Sequence, residues 1–113
     1  MASHITITPI EGTVTVAVGS TVLGKSTRAL ALKEGASPAV IYVPRDDIDM
    51  GRLVRTNHKT SCPFKGLASY YSIKGDFAKF ANAVWSYEDP KPDVAAISGH
   101  LAFYTDRVTV TRG

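Results

Sequence analysis

Cys62 lies between an imidazole and an amine, with His58 four positions before it and Lys65 three positions after. A thiolate is the reactive form of cysteine, and nearby cations lower the thiol pKa. This spacing therefore fits nucleophilic thiol chemistry assisted by His58 or Lys65. The competing reading is a small buried hydrophobe, since free cysteine is among the most buried residue types, and the lack of a second anchored partner favours it. Pro63 stiffens the chain after the thiol and suits both readings.

Lys65-Gly66 is open in the same way. Gly66 either supplies a positive φ at a turn or lets a ligand approach the backbone, while Lys65 is either solvated or a point charge for an anion. Arg45 could clamp a carboxylate or phosphate, or bridge Glu34 or Asp47 as a structural ion pair; two acids close in sequence order favour the pair. Tyr42, Phe64, Tyr70, Trp85, Tyr87 and Tyr104 fall on different predicted strands. They read mainly as core, with Trp85 and Tyr87 as a pocket wall beside the Cys62 loop.

The 113 residues form one domain, residues 1–113, with 44% hydrophobic and 20% charged residues, the balance of an ordinary folded domain. Thirteen Lys and Arg against ten Asp and Glu give +3, too little to argue for a nucleic-acid surface. Met50 to Gly75 holds Arg52, Arg55, Lys59, Lys65 and Lys74 and no acid, so the positive excess sits in one segment. A solvated loop and an anion-binding rim both fit it. One cysteine excludes an internal disulfide and a multi-thiolate zinc site, and His4, His58 and His100 lack metal-ligand spacing. No apolar run reaches membrane-spanning length, and Met1-Ala2-Ser3-His4 leads into alternating residues with no signal-peptide core, so a cytoplasmic protein is expected.

These groups require a β scaffold. Ile5–Ile7 and Val14–Val18 alternate around a Glu11-Gly12 turn, with a second hairpin turn expected at Gly19-Ser20. Ala29–Leu32, Val40–Val43, Leu67–Ile73, Leu101–Tyr104 and Val108–Val110 read as strands. A helical turn is expected from Asp46 to Met50, and another opened by Pro92 through Ile97. Thr56 to Gly66 lacks hydrophobic pattern and reads as a loop, where functional groups concentrate. Phe77, Phe80, Ala81, Val84 and Trp85 form a helical stripe capped by Asp76, whereas Ala83, Trp85 and Tyr87 alternate as in a strand. Periodicity prefers the helix.

Ser26-x-x-Ala29-Leu30 with Glu34, Tyr42-x-Pro44-Arg45-x-Asp47, and Thr60-x-Cys62-Pro63-Phe64-Lys65-Gly66-x-Ala68-x-Tyr70 come in order. Ala83-x-Trp85-x-Tyr87-x-x-Pro90 and Ala102-Phe103-Tyr104 follow. Over nearly the whole chain this resembles the bacterial and fungal family known as domain of unknown function 427. The resemblance implies a mainly β, compact single-domain sandwich or tent (Mss4-like, β-tent) with one or two short helical turns and no zinc site. It also implies a strand at Ala81 to Tyr87, and that reading is adopted over the helix. A nucleotidyltransferase-like label attached to the family would need metal-holding carboxylates, for which Asp46, Asp47 and Asp49 are the candidates.

The resulting expectation is a domain binding a small polar or anionic molecule in a cleft floored by Thr56–Gly66. Cys62, His58 and Lys65 are the candidate catalytic groups. Glu34, Tyr42, Arg45, Asp47, Thr60, Gly66, Tyr70, Trp85, Tyr87 and Tyr104 are the candidate ligand contacts. No metal site and no particular cofactor is indicated, and whether the chain is an enzyme stays open. The alternative is a module that docks a protein or a second copy of itself with Cys62 buried; metal-dependent nucleotidyl transfer ranks third.

Overall fold

A computed structural model describes residues 4–113. The opening Met1-Ala2-Ser3, read above as lacking a leader core, lies outside the described residues. The ten strands among the described residues are β1 (Ile5–Pro9), β2 (Val14–Val18), β3 (Thr21–Ser26), β4 (Leu30–Glu34) and β5 (Val40–Tyr42), then β6 (Leu53–Cys62), β7 (Gly66–Ile73), β8 (Val84–Ser86), β9 (Leu101–Phe103) and β10 (Thr109–Arg112). They form three antiparallel sheets, β1-β4-β5, β10-β2-β3 and β6-β7-β8-β9. Three short 3-10 turns, Arg45–Asp47, Met50–Arg52 and Pro92–Ile97, complete a mainly β domain. No helix among the described residues is long and apolar enough to cross a membrane.

Period-two alternation gives the strands two faces. Ala31, Ile41, Tyr71, Ile73, Val84, Leu101 and Phe103 join Val14, Val16 and Leu23 in the larger core. Their alternating neighbours Leu32, Tyr42, Ala68, Tyr70 and Ala102 point the other way, into a second cluster with Tyr87, Val94 and Ile97. One bridge joins two sheets: Val43 and Leu101 exchange backbone hydrogen bonds of 2.8 Å in each direction. Beyond it β5 and β9 form no further pairs among the described residues, so a seam opens between them.

Three expectations need correction. The Glu11-Gly12 turn closes no hairpin, because β1 pairs with β4 while β2 pairs with β3 and β10. Gly19-Ser20 does join the β2–β3 hairpin. The Thr56–Gly66 loop is mostly β6, a strand whose residues are largely exposed. It carries no hydrophobic alternation because backbone bonds to β7, and not burial, hold it in place. Its ladder is interrupted: Arg55 pairs with Tyr71 and Lys59 with Ser69, leaving Thr56, Asn57 and His58 opposite Tyr70 alone. The helical stripe is also absent. Asp76 caps one turn, accepting from Lys79 N (3.1 Å) through its side chain and from Phe80 N (2.9 Å) through its carbonyl. Asn82 then adopts φ 51°, and Val84–Ser86 is a strand, as the family resemblance implied.

Candidate functional site

The concave face carrying the second cluster holds a cavity of about 240 Å³ between β4, β5, β7 and β8. β4 supplies Glu34, β5 Tyr42 and β7 Tyr70, and the β8 segment supplies Trp85 and Tyr87. Lys65 enters from the turn joining β6 to β7. That turn is tight: Lys65 N donates to the Cys62 carbonyl (3.3 Å), and Gly66 sits at φ 114°, a conformation that favours glycine. Gly66 also packs against the backbone of residues 89–91, and Lys91 N donates to the Lys65 carbonyl at 2.9 Å.

Lys65 is the most unusual group here. Its side chain is 11% exposed, and its Nζ lies 2.6 Å from Glu34 Oε1. Burial alone would depress the ammonium pKa, but the Glu34 hydrogen bond and the negative fields of Cys62, Tyr87 and Glu34 outweigh it, so the net shift is upward. Lys65 is therefore a fixed cation at neutral pH and not a free amine. The Lys65 hydrogen bond, partly opposed by desolvation, holds the Glu34 carboxyl below its usual value. His4 Nε2 approaches the other carboxylate oxygen at 3.4 Å.

Tyrosine hydroxyls surround this pair. Burial pushes Tyr42 up to about 12 and also raises Tyr87. Trp85 Nε1 lies 3.3 Å from Tyr42 Oη and acts as donor, while the indole leans on Tyr104 with ring centroids 4.6 Å apart. Tyr70 is set from the β6 side: its hydroxyl lies 2.9 Å from Thr60 Oγ1, and the His58 ring meets its ring edge-on at 4.5 Å. The β6 bulge places both neighbours there, a common use of bulges beside sites. Desolvation and a hydrogen bond with Tyr70 raise Tyr104.

Of the residues singled out from sequence, Glu34, Tyr42, Lys65, Tyr70, Trp85, Tyr87 and Tyr104 line this one cavity. Of the Thr56–Gly66 segment expected as the floor, only Lys65 lines the cavity, because the segment is paired along β7 at the sheet edge; Thr60, His58 and Gly66 support the cavity from β6 and its turn. Cys62 is half-buried, packs against the second cluster and shares an electrostatic neighbourhood with Lys65, Tyr42 and Tyr87. Among the described residues no hydrogen bond joins it to His58, whose ring is turned to Tyr70.

Arg45 and Asp47 are elsewhere. Arg45 donates to Glu88 and to the Tyr71 hydroxyl, both at 2.9 Å, and Arg55 also binds Glu88 at 2.9 Å. Arg45 is thus an ion-pair residue, but its partner is neither Glu34 nor Asp47. Asp47 accepts from Ser26 Oγ (2.6 Å) and Arg28 (3.1 Å). Asp49 caps Gly51 N and pairs with Arg52. Among the described residues no three His, Cys, Asp or Glu side chains gather as a metal site, and the Asp46–Asp49 reading gains no geometric support.

Sequence reasoning missed Ser37 and Pro38, which overhang the cavity from the β4–β5 turn. Gly35 at φ 56° and the Ser37 carbonyl held by Lys33 Nζ fix that turn. The Gly35-Ala36-Ser37-Pro38 composition signals a turn, but nothing in it signals what the turn covers.

The sequence model described as Domain of unknown function (DUF427) matches residues 6–112. The chain belongs to this family. The match takes in every cavity residue of this DUF427 chain, from Leu32 to Tyr104. A search of curated proteins finds no match for it.

Proposed function

We propose that this DUF427 chain is a cytoplasmic binding domain whose ligand is a small polar molecule seated over Tyr42 and Tyr70. The observation that carries the reading is the buried Lys65 ammonium, facing a cavity with Glu34 and several tyrosine hydroxyls. A buried ion pair is a poor stability device, since well-packed apolar residues often do as well. Perturbed groups gathered in a concave, aromatic-walled space are the usual mark of a binding site.

Charge balance refines the ligand. Lys65 and Glu34 cancel, and Arg45 is committed to Glu88 outside the cavity. An anion would meet one cation and the carboxylate beside it. An uncharged head with both a donor and an acceptor matches the pair better, the acceptor facing Lys65 and the donor facing Glu34. Thiol chemistry at Cys62 is the reactive extension of this reading, with Lys65 supplying field and not a proton. The docking-module reading has one observation in its favour, the exposed Phe64 in the β6–β7 turn and Leu67 just after it.

The test uses thermal unfolding and the emission of Trp85, the single tryptophan, with millimolar benzamide, phenol and benzoate. Benzamide or phenol raises the Tm and shifts the emission, benzoate does so less, and Lys65→Met removes the response. No response to any of the three, together with concentration-dependent association, would replace this reading by the docking module.

A further inference from the structure

A second cavity of about 430 Å³ adjoins the first and shares Ser37, Pro38, Val40, Trp85 and Tyr104 with it. Its other walls differ in chemistry. Ile41 comes from β5, Phe103 from β9 and Val110 from β10, so it occupies the seam that opens beyond the Val43–Leu101 bridge. Apolar surface predominates there, whereas the first cavity presents the ion pair and hydroxyls. Alone, the first is smaller than the roughly 300–1,000 Å³ usual for ligand sites; joined to its neighbour it falls within that range. The seam exceeds twice the ~150 Å³ of an apolar cavity that takes up benzene. Trp85 stands at the boundary, its Nε1 turned to Tyr42 on the polar side and its ring shared by both walls.

We infer that the two cavities are one amphipathic site. Its ligand has an uncharged polar head at Lys65–Glu34 and an apolar arm laid between β5 and β9. This deepens the proposed function and rests on it. The turn carrying Ser37 and Pro38 covers the junction, and Ala39, exposed on that turn, lines only the arm cavity.

The experiment titrates the protein with benzamide and 4-butylbenzamide, followed by backbone amide NMR. Benzamide shifts signals around Tyr42, Tyr70 and Lys65. The butyl compound shifts those and also Ile41, Phe103 and Val110, and binds tighter by up to roughly fourfold per methylene. Ala39→Phe, which fills the arm cavity from an exposed position, removes the gain and leaves benzamide binding unchanged. Equal affinity for both compounds, or butyl shifts at the seam without shifts at Tyr42 and Tyr70, would overturn the joined site while leaving the polar cavity standing. No benzamide shifts at all would overturn the polar-head reading and this inference with it.

Discussion

Lys65 and Glu34 lie 31 positions apart and meet at 2.6 Å, joining the β6–β7 turn to the end of β4. The two partners are unequally exposed, Lys65 at 11% and Glu34 at 30%, so removing one is not equivalent to removing the other. Glu34→Gln leaves a buried ammonium without its counter-charge. Breaking a fully buried pair costs roughly 3–5 kcal/mol; with Glu34 partly solvated, a loss of about 2 kcal/mol is expected. Lys65→Met costs less, because the stranded carboxylate reaches water. Urea unfolding of both variants tests the order.

The same pair sets a pH window. Glu34 has a folded pKa below 4.5, so its contribution is present above that value and is lost as pH falls through the folded pKa. Lys65 has a folded pKa above 10.5, so its contribution is present below that value and is lost as pH rises through the folded one. The stability difference between wild type and Glu34→Gln is therefore flat from mildly acidic pH to about 10 and narrows below 4.5. Unfolding midpoints across pH measure it.

Glu88 is the second pH-sensitive group. Desolvation would raise its pKa, but hydrogen bonds from Tyr71 and Arg55 and the Arg45 charge bring it below 4.5. Its stabilisation is present above that pH and disappears as pH falls. Glu88→Gln should cost about 1–2 kcal/mol, reduced by the exposure of both arginines. Tyr71→Phe should cost about 1 kcal/mol. A double-mutant cycle tests their coupling, which should be clearly non-additive.

Ser86 Oγ is buried with no hydrogen-bond partner among the described residues. An unsatisfied buried hydroxyl carries a desolvation penalty without compensation. Ser86→Ala should therefore be neutral or stabilising by up to about 1 kcal/mol. A clear loss of stability on calorimetry would contradict this.

Gly24 lies against the chain after β5: a Cβ there would come within 2.1 Å of the Asp47 carbonyl oxygen. Backbone, not a flexible side-chain tip, would have to move. Gly24→Ala should cost about 3 kcal/mol or more, read from the urea midpoint.

Cys62 is half-buried among the second cluster. Its alkylation by iodoacetamide should proceed in native protein, but more slowly than in urea. The adduct should weaken benzamide binding, because Tyr42, Tyr87 and Lys65 are its neighbours. Native and unfolded rates that match would contradict its packing.

Val14–Val18 was legible because one buried face writes alternation into sequence; Val40–Tyr42 and Leu101–Phe103 were legible as short apolar runs, because their two faces pack into the two clusters. β6 was not legible, since an exposed strand held by backbone bonds needs no apolar residues. Phe77 to Trp85 misled because helical spacing arose across a turn and a strand; Phe77 in fact faces solvent. The tyrosines and Lys65 could be singled out as residue types, but Arg45 could not be assigned its partner: Glu88 lies 43 positions away and belongs to no motif. The role of Ser37 and Pro38 depends wholly on which strands the chain later brings beneath them.

The bulge in β6 reaches beyond the cavity. Ten residues of edge strand would otherwise expose an unbroken row of backbone donors and acceptors, a template for strands of other molecules. Three residues set against one break the spacing midway, and Arg55 and Lys59 flank the break with charge. The distortion that holds His58 and Thr60 against Tyr70 is thus also the kind of break by which edge strands are made poor templates for strands of other molecules.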